Sequence, residues 1–109
     1  MTVEQLAEKL ALKPLCMPEG DRTVEGGYCG DLLSWVMSRA QSGDAWVTIM
    51  TNINVVAVAA LTDCACVILA ENAEVESAVM EKAASQGINL FVSDKDAFTL
   101  CACIGTLLQ

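Results

Sequence analysis

The feature that most constrains the fold of this chain is a set of three short apolar runs, each followed by a segment with helical spacing. The runs are Trp46–Met50, Cys64–Leu69 and Asn89–Val92, and the helical segments are Asn54–Leu61, Glu74–Ser85 and a last one that starts at Ser93 or Asp94 and ends at Leu108. The runs are apolar throughout and do not alternate with polar residues, which is typical of parallel strands covered on both faces. The alternation of strands and helices therefore predicts a mostly parallel sheet between helical layers, with right-handed crossovers.

The first part of the chain has weaker signals. Thr2 and Gln5 fit a capping box, and apolar residues then recur at helical spacing until Pro14 ends the helix. Leu15–Met17 is predicted to be extended, and Pro18–Gly30 is predicted to form loops with room for a short strand. The next helix is predicted to be capped by Asp31, to place Leu32, Leu33, Val36, Met37 and Ala40 on one inward face, and to end at Gly43.

Charge and composition exclude several functions. The chain carries a formal net charge of −8 and contains no histidine. An acidic surface repels phosphate backbones, so no nucleic-acid partner is expected. Without histidine there can be no Ser-His-Asp or Cys-His nucleophile pair and no histidine-ligated metal, so we expect a protein that is not an enzyme. No cofactor is predicted.

Length and hydropathy limit the organisation and location of the protein. A chain of 109 residues that is 54% hydrophobic predicts one folded domain over residues 1–109. No stretch reaches the roughly 20 uninterrupted apolar residues that a membrane helix needs. The amino terminus lacks a basic segment followed by an apolar one, so no export signal is recognised. We therefore expect a cytoplasmic protein with no membrane partner.

The last helical segment has almost no polar face. Its apolar residues include Phe98, Leu100, Ile104, Leu107 and Leu108. A helix that is apolar all round has to be buried all round, and a chain of this size has little protein left to cover the outer side. The sequence therefore predicts a homodimer formed through this C-terminal helix.

Polar and glycine residues follow the predicted strands where a small ligand could bind. In open α/β sheets, ligands bind outside the carboxyl ends of the strands. The candidate ligand-binding residues are Gly27, Gly30, Asp31, Thr51, Asn52, Asn54, Glu71 and Asn72. Free N–H groups at helix starts favour a nucleotide or other phosphorylated ligand, although the acidic residues oppose a bare anion. The spacing matches no phosphate-loop motif, so turn and helix-cap roles for the same residues remain open.

Six cysteines allow a different interpretation. They lie at positions 16, 29, 64, 66, 101 and 103. Four of them, Cys64, Cys66, Cys101 and Cys103, are the alternative ligands of a zinc ion or an iron–sulfur cluster. Cys64 and Cys66 on a strand would share a face, whereas Cys101 and Cys103 on a helix would lie about 200° apart. We favour reduced cysteines buried as small apolar side chains, and no metal.

Several segments resemble a known family. These are Gly30–Met37, Asp44–Ile49 and Asn54–Ala59, together with the opening Thr2–Leu10 helix and the closing Gly87–Ser93 segment followed by Ala97 and Phe98. They resemble stand-alone proteins of the DRTGG-domain group, which is similar in fold to the amino-terminal domain of HPr kinase/phosphorylase and more distantly to those of Mur ligases. The resemblance implies a single three-layer α/β/α domain with a mostly parallel or mixed sheet of four to five strands.

The resemblance also carries functional expectations. Relatives occur attached to CBS domains and to phosphotransacetylase, where the domain is regulatory and not catalytic, and some are dimeric. In the family, Asp-Arg precedes the helix that begins here near Asp31, and Thr-Gly-Gly follows the strand that ends here near Leu69. This chain has Tyr28-Cys29 and Ala70-Glu71-Asn72 at those places. The residue types of the signature also occur at Asp21-Arg22-Thr23 and Gly26-Gly27. These residues do not lie before that helix or after that strand, so they match the signature in type and not in position.

These observations lead to one principal function and two alternatives. We expect a regulatory, ligand-binding homodimer that senses a nucleotide or other small phosphorylated ligand at the carboxyl edge of the sheet. Small proteins of this type are also described as iron–sulfur-binding and hydrogenase-associated, which makes a redox accessory protein of a hydrogenase the first alternative. A purely structural interaction module is the second.

Overall fold

The computed structural model describes residues 1–109, which form five helices and five strands. The helices are α1 (Val3–Leu10), α2 (Leu33–Arg39), α3 (Asn54–Thr62), α4 (Ser77–Ser85) and α5 (Ala97–Leu107). The strands are β1 (Lys13–Cys16), β2 (Gly26–Cys29), β3 (Asp44–Thr48), β4 (Cys66–Leu69) and β5 (Leu90–Val92). No helix is long and apolar enough to cross a membrane.

The strands form one mixed sheet in the order β1-β5-β4-β3-β2. Strands β2 to β5 are parallel, and β1 pairs antiparallel with β5 at the edge. Each step from β2 to β5 moves to the next neighbour in the same direction, so right-handed crossovers place α2, α3 and α4 on one face. The predicted α/β fold with a sheet of four to five strands is confirmed.

Two apolar cores cover the two faces of the sheet and explain why the strands are apolar throughout. Trp46 and Val67 face the side with α2, α3 and α4. Val47 and Ile68, one residue further along the same strands, face the side with α1 and α5. Successive side chains point to opposite faces, so the middle of a strand buried on both faces is apolar at every position, and the polar residues of β3, Asp44 and Thr48, lie at its two ends. The three-layer arrangement follows directly from this pattern.

Helix α1 starts as its sequence predicts, but it ends before Pro14, which lies in β1. The backbone N–H of Gln5 donates to the Thr2 hydroxyl at 3.2 Å, and the Thr2 N–H donates to the Gln5 side-chain oxygen at 2.9 Å, which is a complete capping box. Val3 and Leu6 lie on the buried face of the helix. The helix ends at Ala11, whose φ of 52° places it in the left-handed region.

Helix α2 differs from the prediction at its start, on its inward face and at its end, which is Arg39 and not Gly43. Asp31 does not cap it, because the N-cap is Leu32 and makes no side-chain hydrogen bond. Val36 is the one buried residue of the helix, while Leu32 and Met37 are 57% and 53% exposed. The helix has only seven residues and lies over the edge of the sheet. Only one of its side chains, that of Val36, therefore reaches the core.

Other element boundaries also shift. Strand β3 starts at Asp44 and ends at Thr48, earlier than predicted, and α4 starts at Ser77, three residues later than predicted. Helix α5 is capped by Asp96, whose carboxylate accepts the N–H of Thr99 at 2.7 Å, and so begins after Ser93 and Asp94.

Within one chain, only one face of the C-terminal helix α5 is buried, as expected for a chain with too little protein to cover the other face. Leu100 and Ile104 are buried against the sheet, but Phe98 is 84% exposed. Ala102, Gly105 and Thr106 lie on the same exposed side. One face of α5 is therefore covered by its own chain, and the outer face is open.

Candidate functional site

The carboxyl ends of β2 and β3 are joined by the side chain of Asp31. Its carboxylate accepts the Thr48 hydroxyl at 2.7 Å and the Ile49 N–H at 2.9 Å. The carbonyl of Gly30 accepts the indole N–H of Trp46 at 2.9 Å. These bonds place two of the predicted ligand-binding residues, Gly30 and Asp31, at the edge where β3 ends. The carboxylate of Asp31 is already used as an acceptor by the protein itself.

A cleft of about 620 Å³ opens at this edge, between the β3–α3 loop and the start of α4. We call it the edge cleft. It is lined by Thr51, Asn52, Ile53, Glu74, Val75, Glu76, Ala78 and Val79. Two predicted ligand-binding residues, Thr51 and Asn52, lie in its wall, and Asn54 begins the adjoining helix α3. The acidic side of the cleft could not be predicted, since nothing in the residue spacing shows that Glu74 and Glu76 lie opposite Asn52.

Several polar groups of the edge cleft have no side-chain partner within the protein and could bind a ligand. The side-chain oxygen of Asn52 accepts the N–H of Asn54 at 2.9 Å, while its NH₂ group donates to no protein atom. Glu74 and Glu76 are exposed, and the ion pair of the chain lies elsewhere, between Arg22 and Asp63. Helix α4 has no side-chain cap, so its first N–H groups have no side-chain acceptor.

The charges in the edge cleft determine what it can hold. Its wall contains two carboxylates and neither a lysine nor an arginine. Carboxylates accept hydrogen bonds from hydroxyl and amino groups, whereas they repel an unscreened phosphate. The apolar side chains of Ile53, Val75 and Val79 supply a surface for a planar ring. The cleft therefore suits the sugar and base of a nucleoside better than a bare phosphate group.

Glu71 and Asn72 form the turn after β4 at the same edge of the sheet. Both have left-handed backbones, with φ of 61° and 53°. Their N–H groups donate to Lys95 and Ser93 at 2.9 Å and 2.7 Å, which ties the end of β4 to the loop after β5. Glycine adopts this conformation without steric cost. Glu71 and Asn72 therefore have a backbone conformation that favours glycine, and they do not line the edge cleft.

A second cavity lies on the other face of the sheet, between α5 and the edge strand β2. It has a volume of about 280 Å³ and is mostly apolar. We call it the thiol cavity, because Cys29 and Cys101 both line it. Gly27 belongs to this cavity and not to the edge cleft, which separates it from the other predicted ligand-binding residues. This pair could not be predicted from the sequence, since Cys29 and Cys101 are far apart along the chain and follow no motif.

The remaining cysteines do not assemble a metal site. Strand β4 begins at Cys66, so Cys64 lies before it, and the two side chains pack in opposite cores. The expectation that Cys64 and Cys66 share a face is therefore wrong. Burial raises the pKa of the Cys66 thiol to about 12. Cys103 lies on the side of α5 that faces Lys9, and no three His, Cys, Asp or Glu side chains cluster as metal ligands.

Comparison with known proteins identifies the family. A structure of the CBS and DRTGG domains of the regulatory region of Clostridium perfringens pyrophosphatase, complexed with the activator diadenosine tetraphosphate, superposes with a TM-score of 0.74 at 13% sequence identity. The similarity covers 94% of this chain and 45% of that one, so the chain spans less than half of its structural neighbour. No curated protein matches the sequence. The DRTGG domain model matches residues 29–107, and the chain therefore belongs to the DRTGG domain family.

Proposed function

We propose that this chain is a cytoplasmic regulatory domain without catalytic activity, a single domain over residues 1–109 that binds a nucleotide in the edge cleft. The observation that carries the proposal is the cleft itself, a polar and apolar recess of about 620 Å³ at the carboxyl ends of parallel strands. Ligand sites in sheets of this kind lie at that edge. The pyrophosphatase neighbour, whose regulatory region is complexed with diadenosine tetraphosphate, supports the same ligand class.

The chemistry of the edge cleft indicates how the ligand lies. Ribose hydroxyls and base amino groups can donate to Glu74 and Glu76, and the free NH₂ group of Asn52 can donate to a ring nitrogen or a carbonyl. The phosphates then point out of the cleft into solvent, where water and cations screen their charge. This orientation uses the acidic wall and does not oppose it.

A screen by thermal unfolding tests the proposal. Adenosine, AMP, ATP and diadenosine tetraphosphate are each added with and without Mg²⁺. At ten times its dissociation constant, a ligand stabilises the protein by about 1.4 kcal/mol, which raises Tm by about 6–11 °C for a domain of this size. A panel that leaves Tm unchanged at millimolar ligand would favour the purely structural interaction module.

Two variants locate the binding. Asn52→Ala and Glu76→Gln are expected to weaken nucleoside binding, because each removes one polar partner. Glu8→Gln is the matched control, since Glu8 is an exposed carboxylate on α1, on the opposite face of the sheet. Equal affinity in the three variants would place the ligand elsewhere.

We further propose that the chain forms a homodimer through the outer face of α5. The support is Phe98, a large apolar side chain that is 84% exposed. Light scattering after size-exclusion chromatography is expected to show a dimer that Phe98→Asp converts to a monomer. Trp35→Asp is the control, because Trp35 is exposed on α2 across the sheet and stacks under the Arg39 guanidinium at 3.8 Å. A monomeric parent protein, or a dimer broken only by Trp35→Asp, would contradict this interface.

A further inference from the structure

The thiol cavity brings together two cysteines that the proposed function does not use. Cys29 ends the edge strand β2, and Cys101 lies in the second turn of α5. We propose that Cys29 and Cys101 form a reversible modification site, which closes to an intramolecular disulfide by exchange with a low-molecular-weight disulfide such as oxidised glutathione.

The backbone places both side chains in the same space. On β2, a Cβ at Gly27 would point at the Ile104 side chain of α5, at 3.7 Å. Side chains two residues apart share a face of a strand, so Cys29 also points towards α5. Both cysteines line the cavity. The proximity of Cys29, after burial, is the second cause that raises the pKa of Cys101 to about 11.

Exposure assigns different roles to the two sulfurs. Cys29 is exposed and Cys101 is half-buried, so the small disulfide reaches Cys29 first. The Cys29 thiolate attacks one sulfur of the small disulfide, forms a mixed disulfide and releases one thiolate. Cys101 then loses its proton and attacks the Cys29 sulfur, which releases the second thiolate. Two protein thiols have lost two electrons and two protons, and the small disulfide has become two thiols.

The other four cysteines are positioned differently. Cys16 donates its thiol hydrogen to the Ile88 carbonyl at 3.1 Å, at the far edge of the sheet. Cys64 and Cys66 are buried in opposite cores. Cys103 is close to Cys101 in sequence but lies on the side of α5 that faces α1. It is therefore the natural control for the specificity of the pair.

Peptide mapping after equilibration with reduced and oxidised glutathione tests the proposal. Trypsin cuts after Arg22, Arg39 and Lys95, so a non-reducing digest should contain peptide 23–39 linked to peptide 96–109, with the loss of two hydrogen atoms. Cys103→Ser is expected to keep this species, and Cys101→Ser is expected to stop at a glutathione adduct on Cys29. Circular dichroism checks that each variant is folded.

Two results would overturn the proposal. One is a folded parent protein that keeps Cys29 as a free thiol or a glutathione adduct under conditions where reference dithiols are oxidised. The other is a linked peptide that survives Cys101→Ser and disappears in Cys103→Ser, which would show that the wrong sulfur reacts.

Discussion

Replacing Glu71 by glycine is expected to stabilise the protein. Glu71 has a φ of 61°, and a left-handed backbone costs a residue with a Cβ about 1–2 kcal/mol. Glycine avoids that cost but loses about 0.5–1 kcal/mol more conformational entropy on folding. The difference is a gain of about 0–1.5 kcal/mol in the free energy of unfolding, with a midpoint of about 0.7 kcal/mol.

The same substitution three residues later is a matched control. Glu74 is also exposed and has a negative φ, so Glu74→Gly makes the identical change of charge without relieving a left-handed backbone. It is expected to lose about 0.5–1 kcal/mol. Urea unfolding followed by the fluorescence of the buried Trp46 gives both values.

The comparison tests how the DRTGG signature maps onto this chain. If Glu71→Gly is as destabilising as Glu74→Gly, the turn after β4 does not need glycine geometry. The assignment of the signature glycines to Glu71 and Asn72 would then be wrong. If Glu71→Gly is the more stable variant by more than about 0.5 kcal/mol, the assignment stands.

Three further predictions concern stability. Asn89 is 2% exposed and its side-chain amide forms three hydrogen bonds. Asn89→Ala should therefore lower the free energy of unfolding by about 2–4 kcal/mol, and a loss below about 1 kcal/mol would contradict this. The Arg22 guanidinium holds the pKa of Asp63 below its usual value. The Asp63 carboxylate therefore stabilises the fold at pH values above its unfolded pKa of about 3.9. This stabilisation is lost as the pH falls through the lower pKa of the folded state. Asp63→Asn should therefore lose less stability than the parent between about pH 5 and pH 2, by a small amount because the pair is exposed, and urea midpoints across that range measure it. The Cys29–Cys101 disulfide closes a loop of about 70 residues and should raise the free energy of unfolding by up to about 4 kcal/mol, and an unchanged urea midpoint after oxidation would contradict this.

The parts of the fold that could be predicted are those set by local patterns. The capping box at Thr2 and Gln5 and the strand–helix units after Trp46 are encoded within a few residues, and the structure has them. The resemblance to the DRTGG family predicted the three-layer α/β/α arrangement, and the family match confirms the resemblance.

The features that could not be predicted depend on contacts between distant segments. Asp31 looks like a helix cap, but its carboxylate turns to Thr48 and Ile49, because β3 ends beside it. Either use satisfies the same oxygen atoms, and only the tertiary fold decides between them. Leu32 is exposed for a related reason, since a short helix at the edge of the sheet reaches the core with a single side chain.

The candidate site shows the same division. Thr51 and Asn52 could be assigned to the carboxyl edge from their place after a predicted strand. The acidic wall from Glu74 to Glu76 could not, because these residues have the pattern of a solvated helix face, and only the start of α4 at Ser77 places them in a loop beside Asn52.

Mapping a nucleoside onto the protein by NMR tests the central claim most directly. Amide shifts are recorded on the ¹⁵N-labelled protein during titration with adenosine and with ATP. The account predicts saturable shifts that centre on Thr51, Asn52 and the first turn of α4, and that are lost in Asn52→Ala. Saturable shifts confined to α5 or to the opposite face of the sheet, or no shifts at millimolar nucleoside, would contradict it.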